Sequence, residues 1–196
     1  MTVSTKKIII TGGPGTGKSS VLDEFIRRGH RCFPEISRQV TAEAQEQGIA
    51  QLFLTEPLLF STRLLEGRKK QFTDACELPD ERVFIDRGVP DVLAYMDYAG
   101  SEYPGFFRDV CDYCRYDQVF LLPPWEAIYV SDSERYENFE QAQVIHRFIK
   151  ETYKRFGYTL TEVPTGTVSG RADFILEQLH ISHTTVSHTS TNTPIT

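Results

Sequence analysis

The feature that most constrains this chain is a glycine-rich segment that separates an apolar run from a segment with helical spacing. It matches the pattern G-x-x-x-x-G-K-[ST] of a phosphate-binding P-loop. Residues 7–11 before it predict a strand, and apolar residues at 21, 22, 25 and 26 predict a helix after it, which is the order the motif requires. The segment consists of Gly12, Gly13, Pro14, Gly15, Thr16, Gly17, Lys18 and Ser19.

The residue types of this segment are suited to holding a nucleoside triphosphate with its metal ion. The glycines allow backbone N–H groups to turn inward around the phosphates, and the helix that follows adds its N-terminal N–H groups. Lys18 is expected to reach the β- and γ-phosphates, and the hydroxyl of Ser19 to complete a Mg²⁺ shell. The sequence therefore predicts ATP and Mg²⁺ as ligands. Ser20 next to the motif, and Pro164 and Gly166 after the last predicted strand, are expected to complete the nucleotide site.

Charge and hydrophobicity argue against other classes of partner. The chain has 21 basic and 27 acidic residues, a net charge of −6, whereas binding to nucleic acid or to a membrane surface favours a basic face. No apolar run reaches the length of a membrane span, and no signal peptide precedes the first strand. We expect a cytoplasmic protein with no nucleic-acid or membrane partner. The sequence does not indicate an oligomeric state.

Predicted strands and helices alternate along residues 1–181, which we interpret as one domain. The strands cover 6–11, 31–35, 82–86, 119–122 and 158–163. The helices cover 18–28, 38–47, 57–76, 90–96, 105–114, a long segment from about 135 to 156, and 168–179. Residues 182–196 are rich in Ser, Thr and His without an apolar period, which predicts a disordered tail.

This alternation predicts an α/β fold, a P-loop NTPase with a doubly wound parallel sheet and helices on both faces. Ligands of such sheets bind at the carboxyl ends of the strands. The loops at 12–19, 35–38 and 86–87 are therefore expected to converge.

Two charged residues follow the strand at 82–86. Asp86 is placed as a Walker B acid that binds Mg²⁺ beside Ser19; the alternative is a cap on the next helix. Arg87 is suited to bidentate contact with phosphate or substrate oxygens, although a surface ion pair is the alternative.

Two further residues follow the strand at 31–35. Glu35 is a candidate base that accepts a proton from a substrate hydroxyl as it attacks the γ-phosphate, or else a solvated loop acid. Arg38, one helical turn later, is a candidate to hold Glu35 or an anionic substrate.

Arg135 lies after a proline-bounded loop, at the predicted start of the long helix. An arginine on a lid can close over the triphosphate and offset the charge of the transition state. The alternative is an exposed helix residue paired with Glu134 or Glu137.

Five segments that span nearly all of the chain except its tail carry a family resemblance. They are GGPGTGKS at 12–19, FPEISRQV at 33–40, VFIDRGVPDVLAYMDYAG at 83–100, PPWEAIYVSDSERYENFEQA at 123–142 and VPTGTV at 163–168. They resemble P-loop kinases of the nucleoside and nucleotide kinase type, and more narrowly the predicted ATPases related to the nicotinamide riboside kinase domain of bacterial NAD-regulator proteins. The resemblance implies a 2-3-1-4-5 sheet with a helical lid, Glu35 as the base-like residue, Asp86 and Arg87 at metal and substrate, and Arg135 in the lid.

Two functions remain open on these residues. The first is an ATP- and Mg²⁺-dependent kinase that phosphorylates a hydroxyl of a small molecule, such as a nucleoside or riboside. The alternative is a regulatory ATPase or GTPase switch that acts through a protein partner. The GTPase version is disfavoured because the chain has no guanine-reading segment like N-K-x-D. The acceptor cannot be named from the sequence.

Overall fold

A computed structural model describes residues 4–129 and 138–186, with side chains described to residue 179. Its elements alternate as the sequence predicts. The strands are β1 (Lys6–Thr11), β2 (Cys32–Phe33), β3 (Arg82–Asp86), β4 (Gln118–Leu121) and β5 (Leu160–Glu162). The helices are α1 (Lys18–Arg27), α2 (Ile36–Glu46), α3 (Leu52–Thr55), α4 (Pro57–Cys76), α5 (Val89–Tyr98), α6 (Phe106–Tyr113), α7 (Phe139–Arg155) and α8 (Val168–Val186), with a short 3₁₀ turn at Glu126–Ile128.

The five strands form one parallel sheet in the order β2-β3-β1-β4-β5. This confirms the predicted α/β class and the 2-3-1-4-5 order. Ile10 of β1 lies opposite Asp86 of β3 and Phe120 of β4, so these strands end at the same edge. Phe33 of β2 lies opposite Ile85, which brings the loop after β2 to that edge as well.

Helices cover both faces of the sheet, because β1 is apolar on both sides. Ile9 packs into a core with α2, α4, α5, α6 and α7, whereas Ile8 and Ile10 pack into a second core with α1 and α8. Successive side chains of a strand point to opposite faces, and all three isoleucines are fully buried. A continuous apolar strand is therefore required here, as the sequence suggested.

Helix α7 begins at Phe139, four residues after Arg135. A reciprocal cap fixes this start: Asn138 Oδ1 accepts from the Gln141 amide at 2.9 Å, and Gln141 Oε1 accepts from the Asn138 amide at 2.8 Å. The expectation that Arg135 opens this helix is therefore wrong. Arg135 itself, which was expected in a lid, lies outside the described residues.

Other elements also differ from the prediction. Helix α2 begins at Ile36 because Glu35, in an extended conformation, takes the N-cap position. The four-residue helix α3 was not predicted. Helix α8 runs to Val186, beyond the predicted end at 179 and into the segment predicted as a tail. No Gly or Pro interrupts residues 171–186. Within the described helices, none is both long and apolar enough to cross a membrane.

Candidate active site

The P-loop connects β1 to α1 through three glycines with positive φ. The φ angles are 151° at Gly12, 69° at Gly15 and 77° at Gly17, and side chains rarely tolerate such values. A Cβ atom on Gly12 would also lie 2.5 Å from the carbonyl oxygen of Leu122. The glycines therefore serve both the turn and the close approach of β4.

Lys18 lies inside this loop, almost fully buried. Its Nζ donates hydrogen bonds of 2.9 Å to the carbonyl oxygens of Gly12 and Gly13. Burial, followed by the positive charge of Arg87, lowers the pKa of Lys18 to about 8. The hydroxyl-bearing residues Ser19 and Ser20 are exposed at the start of α1. A bound polyphosphate would place a partner of opposite charge beside the buried ammonium group of Lys18.

Arg87 joins the three converging loops. It is the one non-glycine residue with positive φ, 68°, in the part of the chain that the structure describes. Its Nε donates to Glu35 Oε1 at 2.9 Å, and its Nη1 donates to the Gly12 carbonyl oxygen at 3.0 Å. The guanidinium is buried and also lies over the ring of Tyr95, 5.3 Å from its centroid. The loops after β1, β2 and β3 therefore meet, as predicted from the strand order.

Glu35 forms the other half of this ion pair. Burial by itself raises the pKa of Glu35, but the charges of Arg87, Lys18 and Arg68 and a hydrogen bond from Ser37 outweigh burial and bring the pKa to about 2. Glu35 is therefore an ionised carboxylate at any physiological pH. The interpretation of Glu35 as a solvated loop acid is wrong for this conformation, because the side chain is only about a quarter exposed and paired with Arg87.

Asp86 ends β3 directly before Arg87 and is 4% exposed. Its Oδ1 is buried and has no hydrogen-bond partner within the described residues. Burial raises the pKa of Asp86, and the positive charge of Lys18 opposes that shift. A buried carboxylate oxygen that lacks a donor fits a cation, because hard divalent cations take oxygen ligands. Asp86 does not cap α5, whose N-cap is Gly88.

The last three predicted site residues that the structure describes are Arg38, Pro164 and Gly166. Arg38 is exposed on α2, and no ion pair joins it to another described residue. Gly166 lines a cavity of about 330 Å³ beside the P-loop. Pro164 is exposed nearby in the chain but does not line that cavity.

Two residues of this cavity were not expected from the sequence. Arg171 of α8 is 5% exposed, and its Nη1 donates to the Thr16 carbonyl oxygen at 2.8 Å. Its guanidinium lies 5.8 Å from the ring centroid of Trp125. The Nε atom of Arg171 is buried without a partner among the described residues. A planar cation and an indole beside a P-loop form a surface on which a nucleotide base can stack.

A family model described as an AAA domain matches residues 7–171. This match covers well over half of the sequence. The chain belongs to this AAA domain family. No curated protein matches the sequence.

Solved structures that resemble this AAA domain include a deoxyadenosine kinase, a thymidylate kinase and the NadR protein. Deoxyadenosine kinase from M. mycoides, with its products bound, gives a TM-score of 0.65 at 18% identity over 89% of this chain and 99% of that chain. The NadR protein in complex with NR gives 0.69 at 14% identity, over 98% of this chain and 53% of that chain. Thymidylate kinase from Candida albicans gives 0.61 at 16% identity, over 92% and 93%. Identities this low establish a shared fold. The resemblance expected from the sequence is confirmed at that level.

Proposed function

We propose that this AAA domain is an ATP- and Mg²⁺-dependent kinase that phosphorylates a hydroxyl of a nucleoside-like or riboside-like small molecule. The observation that carries the proposal is the contact of Arg87 with both Glu35 and Gly12. This contact places the Glu35 carboxylate, which suits an acceptor hydroxyl, next to the P-loop, which suits phosphates. A carboxylate at this position can act on a substrate hydroxyl, and equally on water in a protein that only hydrolyses ATP. Neighbouring structures of deoxyadenosine kinase and thymidylate kinase support the same class.

The donor nucleotide is proposed to bind along the P-loop. Its phosphates replace the Gly12 and Gly13 carbonyl oxygens as partners of Lys18, because the negative charge offsets the cost of burying the ammonium. Its base stacks in the cavity that Trp125, Arg171 and Gly166 line. Asp86 and the hydroxyl of Ser19 would hold the Mg²⁺ ion. When bound, that ion neutralises charge on the β- and γ-phosphates.

The acceptor is proposed to bind between Glu35 and the P-loop. Glu35 orients the attacking hydroxyl and receives its proton. Because the pKa of Glu35 is about 2, this proton transfer is favourable only late, once the oxygen has begun to bond to phosphorus. Arg87 stabilises the negative charge that develops on the transferred group. Arg38, exposed on α2, and Arg135, which lies outside the described residues, are proposed to contact an anionic acceptor and the triphosphate respectively.

A panel of hydroxyl-bearing metabolites tests the proposal directly. The protein is incubated with ATP, Mg²⁺ and each nucleoside or riboside, and phosphate esters are quantified against ADP. We expect one class of acceptor to give ester and ADP in equal amounts, at a rate above basal hydrolysis. Slow hydrolysis that no acceptor stimulates would refute the kinase and favour the regulatory ATPase switch.

A further inference from the structure

Asp91, a buried carboxylate on α5, has no role in the function proposed above. It lies behind the turn at residues 86–89, which we call the Arg87 turn. Asp91 is 0% exposed. Its Oδ1 accepts from the Thr11 hydroxyl at 2.5 Å and lies 3.4 Å from Arg87 Nη1. Its Oδ2 accepts from the Gly88 amide at 2.9 Å and from the Tyr153 hydroxyl at 2.6 Å. Both carboxylate oxygens therefore accept hydrogen bonds from groups within or beside the Arg87 turn.

The peptide groups of this turn are held by side chains from three helices and from the loop before β4. The Gly88 amide donates to Asp91 and also to the Tyr153 hydroxyl at 3.1 Å. The Gly88 carbonyl oxygen accepts from Arg68 Nη1 at 2.8 Å. The next amide, that of Val89, donates to the Tyr116 hydroxyl at 3.1 Å. Side chains therefore satisfy the buried peptide groups of this turn.

The conformation that this set maintains is unfavourable by itself. A side-chain-bearing residue with φ of 68° is uncommon, and it persists where the surroundings over-determine it. Side chains of successive strand residues point to opposite faces. The left-handed conformation at Arg87 departs from that alternation, and the guanidinium reaches Glu35 and Gly12.

Gly88 must be a glycine for this arrangement to form. Its φ is −103°, which any residue adopts, so space is the constraint. A Cβ atom there would lie 2.6 Å from the Tyr153 hydroxyl oxygen and 2.9 Å from the Tyr116 ring. The two tyrosines therefore occupy the volume that a side chain at position 88 would need, and they contact the backbone instead.

We propose that Asp91 and Tyr153 are positioning residues, which hold the Arg87 turn in its left-handed conformation so that the guanidinium faces the acceptor and the transferred phosphoryl group. The proposal rests on the proposed kinase function for its kinetic part only. Tyr153 belongs to α7, and a Cβ atom on Gly13 would lie 3.2 Å from the carbonyl oxygen of Ala142 in the same helix. One helix thus contacts both the P-loop and the Arg87 turn. Tyr153 remains a donor at working pH, since burial raises its pKa well above the ordinary value.

Three variants of the full chain separate positioning from packing. Asp91→Asn replaces one carboxylate oxygen with a donor, and Tyr153→Phe removes one hydroxyl. Tyr158→Phe is the control, because that hydroxyl is also hydrogen-bonded in the core but to groups outside the turn: it accepts from the Tyr116 amide and donates to the Cys114 carbonyl oxygen. If Asp91→Asn does not fold, Thr11→Val removes a single donor to Asp91 in its place.

Two measurements read these variants. The first is the ¹⁵N resonance of the Arg87 Nε–H group, which is assigned by its loss in Arg87→Lys. The Nε–H proton should be protected from exchange with solvent, because it is hydrogen-bonded to Glu35. We expect Asp91→Asn and Tyr153→Phe to abolish that protection and Tyr158→Phe to retain it. The second is kcat, which should fall about 10- to 100-fold in the first two variants with little change in KM for ATP.

The resonance does not depend on catalysis, so the two proposals can fail separately. A wild-type protein that transfers phosphate to no acceptor would refute the kinase, while the resonance still tests whether Asp91 and Tyr153 hold Arg87. Folded Asp91→Asn and Tyr153→Phe proteins that retain the protected resonance would overturn the positioning role. Loss of protection at an unchanged kcat would overturn it as well.

Discussion

The Nε–H group of Arg87 donates a 2.9 Å hydrogen bond to Glu35, and thereby joins the residue after β3 to the residue that caps α2. The pair is almost closed to solvent on the arginine side, where the side chain is 8% exposed. An acceptor hydroxyl that enters this cleft therefore meets a carboxylate whose orientation is already fixed. Pre-organisation of this kind lowers the cost of reaching the transition state.

Replacement of Glu35 by Gln should abolish most phosphoryl transfer while it leaves ATP affinity nearly intact. The amide keeps the shape and one hydrogen-bond acceptor but cannot receive a proton. We expect kcat to fall about 10²- to 10⁴-fold, the usual contribution of a general base. Steady-state kinetics and nucleotide titration measure the two effects. Glu43→Gln, on the exposed face of α2, is the matched control, and an active Glu35→Gln protein would refute the base assignment.

The same pair should stabilise the fold above mildly acidic pH. The pKa of Glu35 is about 2 in the folded chain, below the ordinary 4.5, so the folded state favours the ionised form. The resulting stability is fully present above about pH 4.5 and is lost as the pH falls toward 2. Urea unfolding between pH 3 and pH 6 should therefore show a steeper acid loss in wild type than in Glu35→Gln. Parallel pH profiles for the two proteins would contradict the buried ion pair.

Asp86→Asn should raise the Mg²⁺ concentration that half-saturates ATP binding by about 10- to 100-fold or more, since altering even the partners of metal ligands costs that much. The neutral amide keeps the volume of the side chain but removes the charge at the unpartnered Oδ1. Titration of Mg²⁺ at fixed ATP measures the effect. Asp74→Asn, on an exposed face of α4, serves as the control. An unchanged Mg²⁺ dependence would argue that Asp86 does not contact the metal.

The P-loop and the meeting of three loops could be predicted because each depends on patterns within a few residues of sequence, whereas the order of the strands followed from the family resemblance. Apolar runs and glycine spacing are local signals. The cap Asn138-x-x-Gln141, which starts α7, is also local and could have been found. Apolar spacing alone does not locate this start.

The partners of these loops could not be predicted in the same way. Arg171 reaches Thr16 across 155 positions of sequence, and helical spacing on α8 gives no sign of it. Asp91 resembles an ordinary first-turn acid of a helix, and Tyr153 an ordinary apolar-face residue, until the fold brings them together at Gly88. Their roles depend on tertiary contacts that no short motif encodes.

Binding of ATP should be accompanied by uptake of a proton at Lys18. The pKa of this group is about 8 in the free protein, and an adjacent triphosphate favours the charged form and raises it. At pH 8 roughly half of the lysine is neutral, so about half a proton should be taken up per ATP bound, and far less at pH 6.5. Calorimetry in two buffers of different ionisation enthalpy gives this number. Adenosine, which lacks phosphates, should give none, and equal values for the two ligands would contradict the assignment.

Trp125 should report occupation of the base cavity, because it is the single tryptophan of the chain and lines that cavity with Arg171. A base that stacks there must change the surroundings of the indole, whereas inorganic triphosphate fills the P-loop alone. We therefore expect ATP to change the tryptophan fluorescence at saturation, and triphosphate to change it far less. Trp125→Ala should weaken ATP binding about tenfold, as stacking on an aromatic ring contributes ~1–3 kcal/mol per base, and should leave triphosphate binding unchanged. Equal fluorescence changes with both ligands, or equal loss of both affinities, would place the base elsewhere.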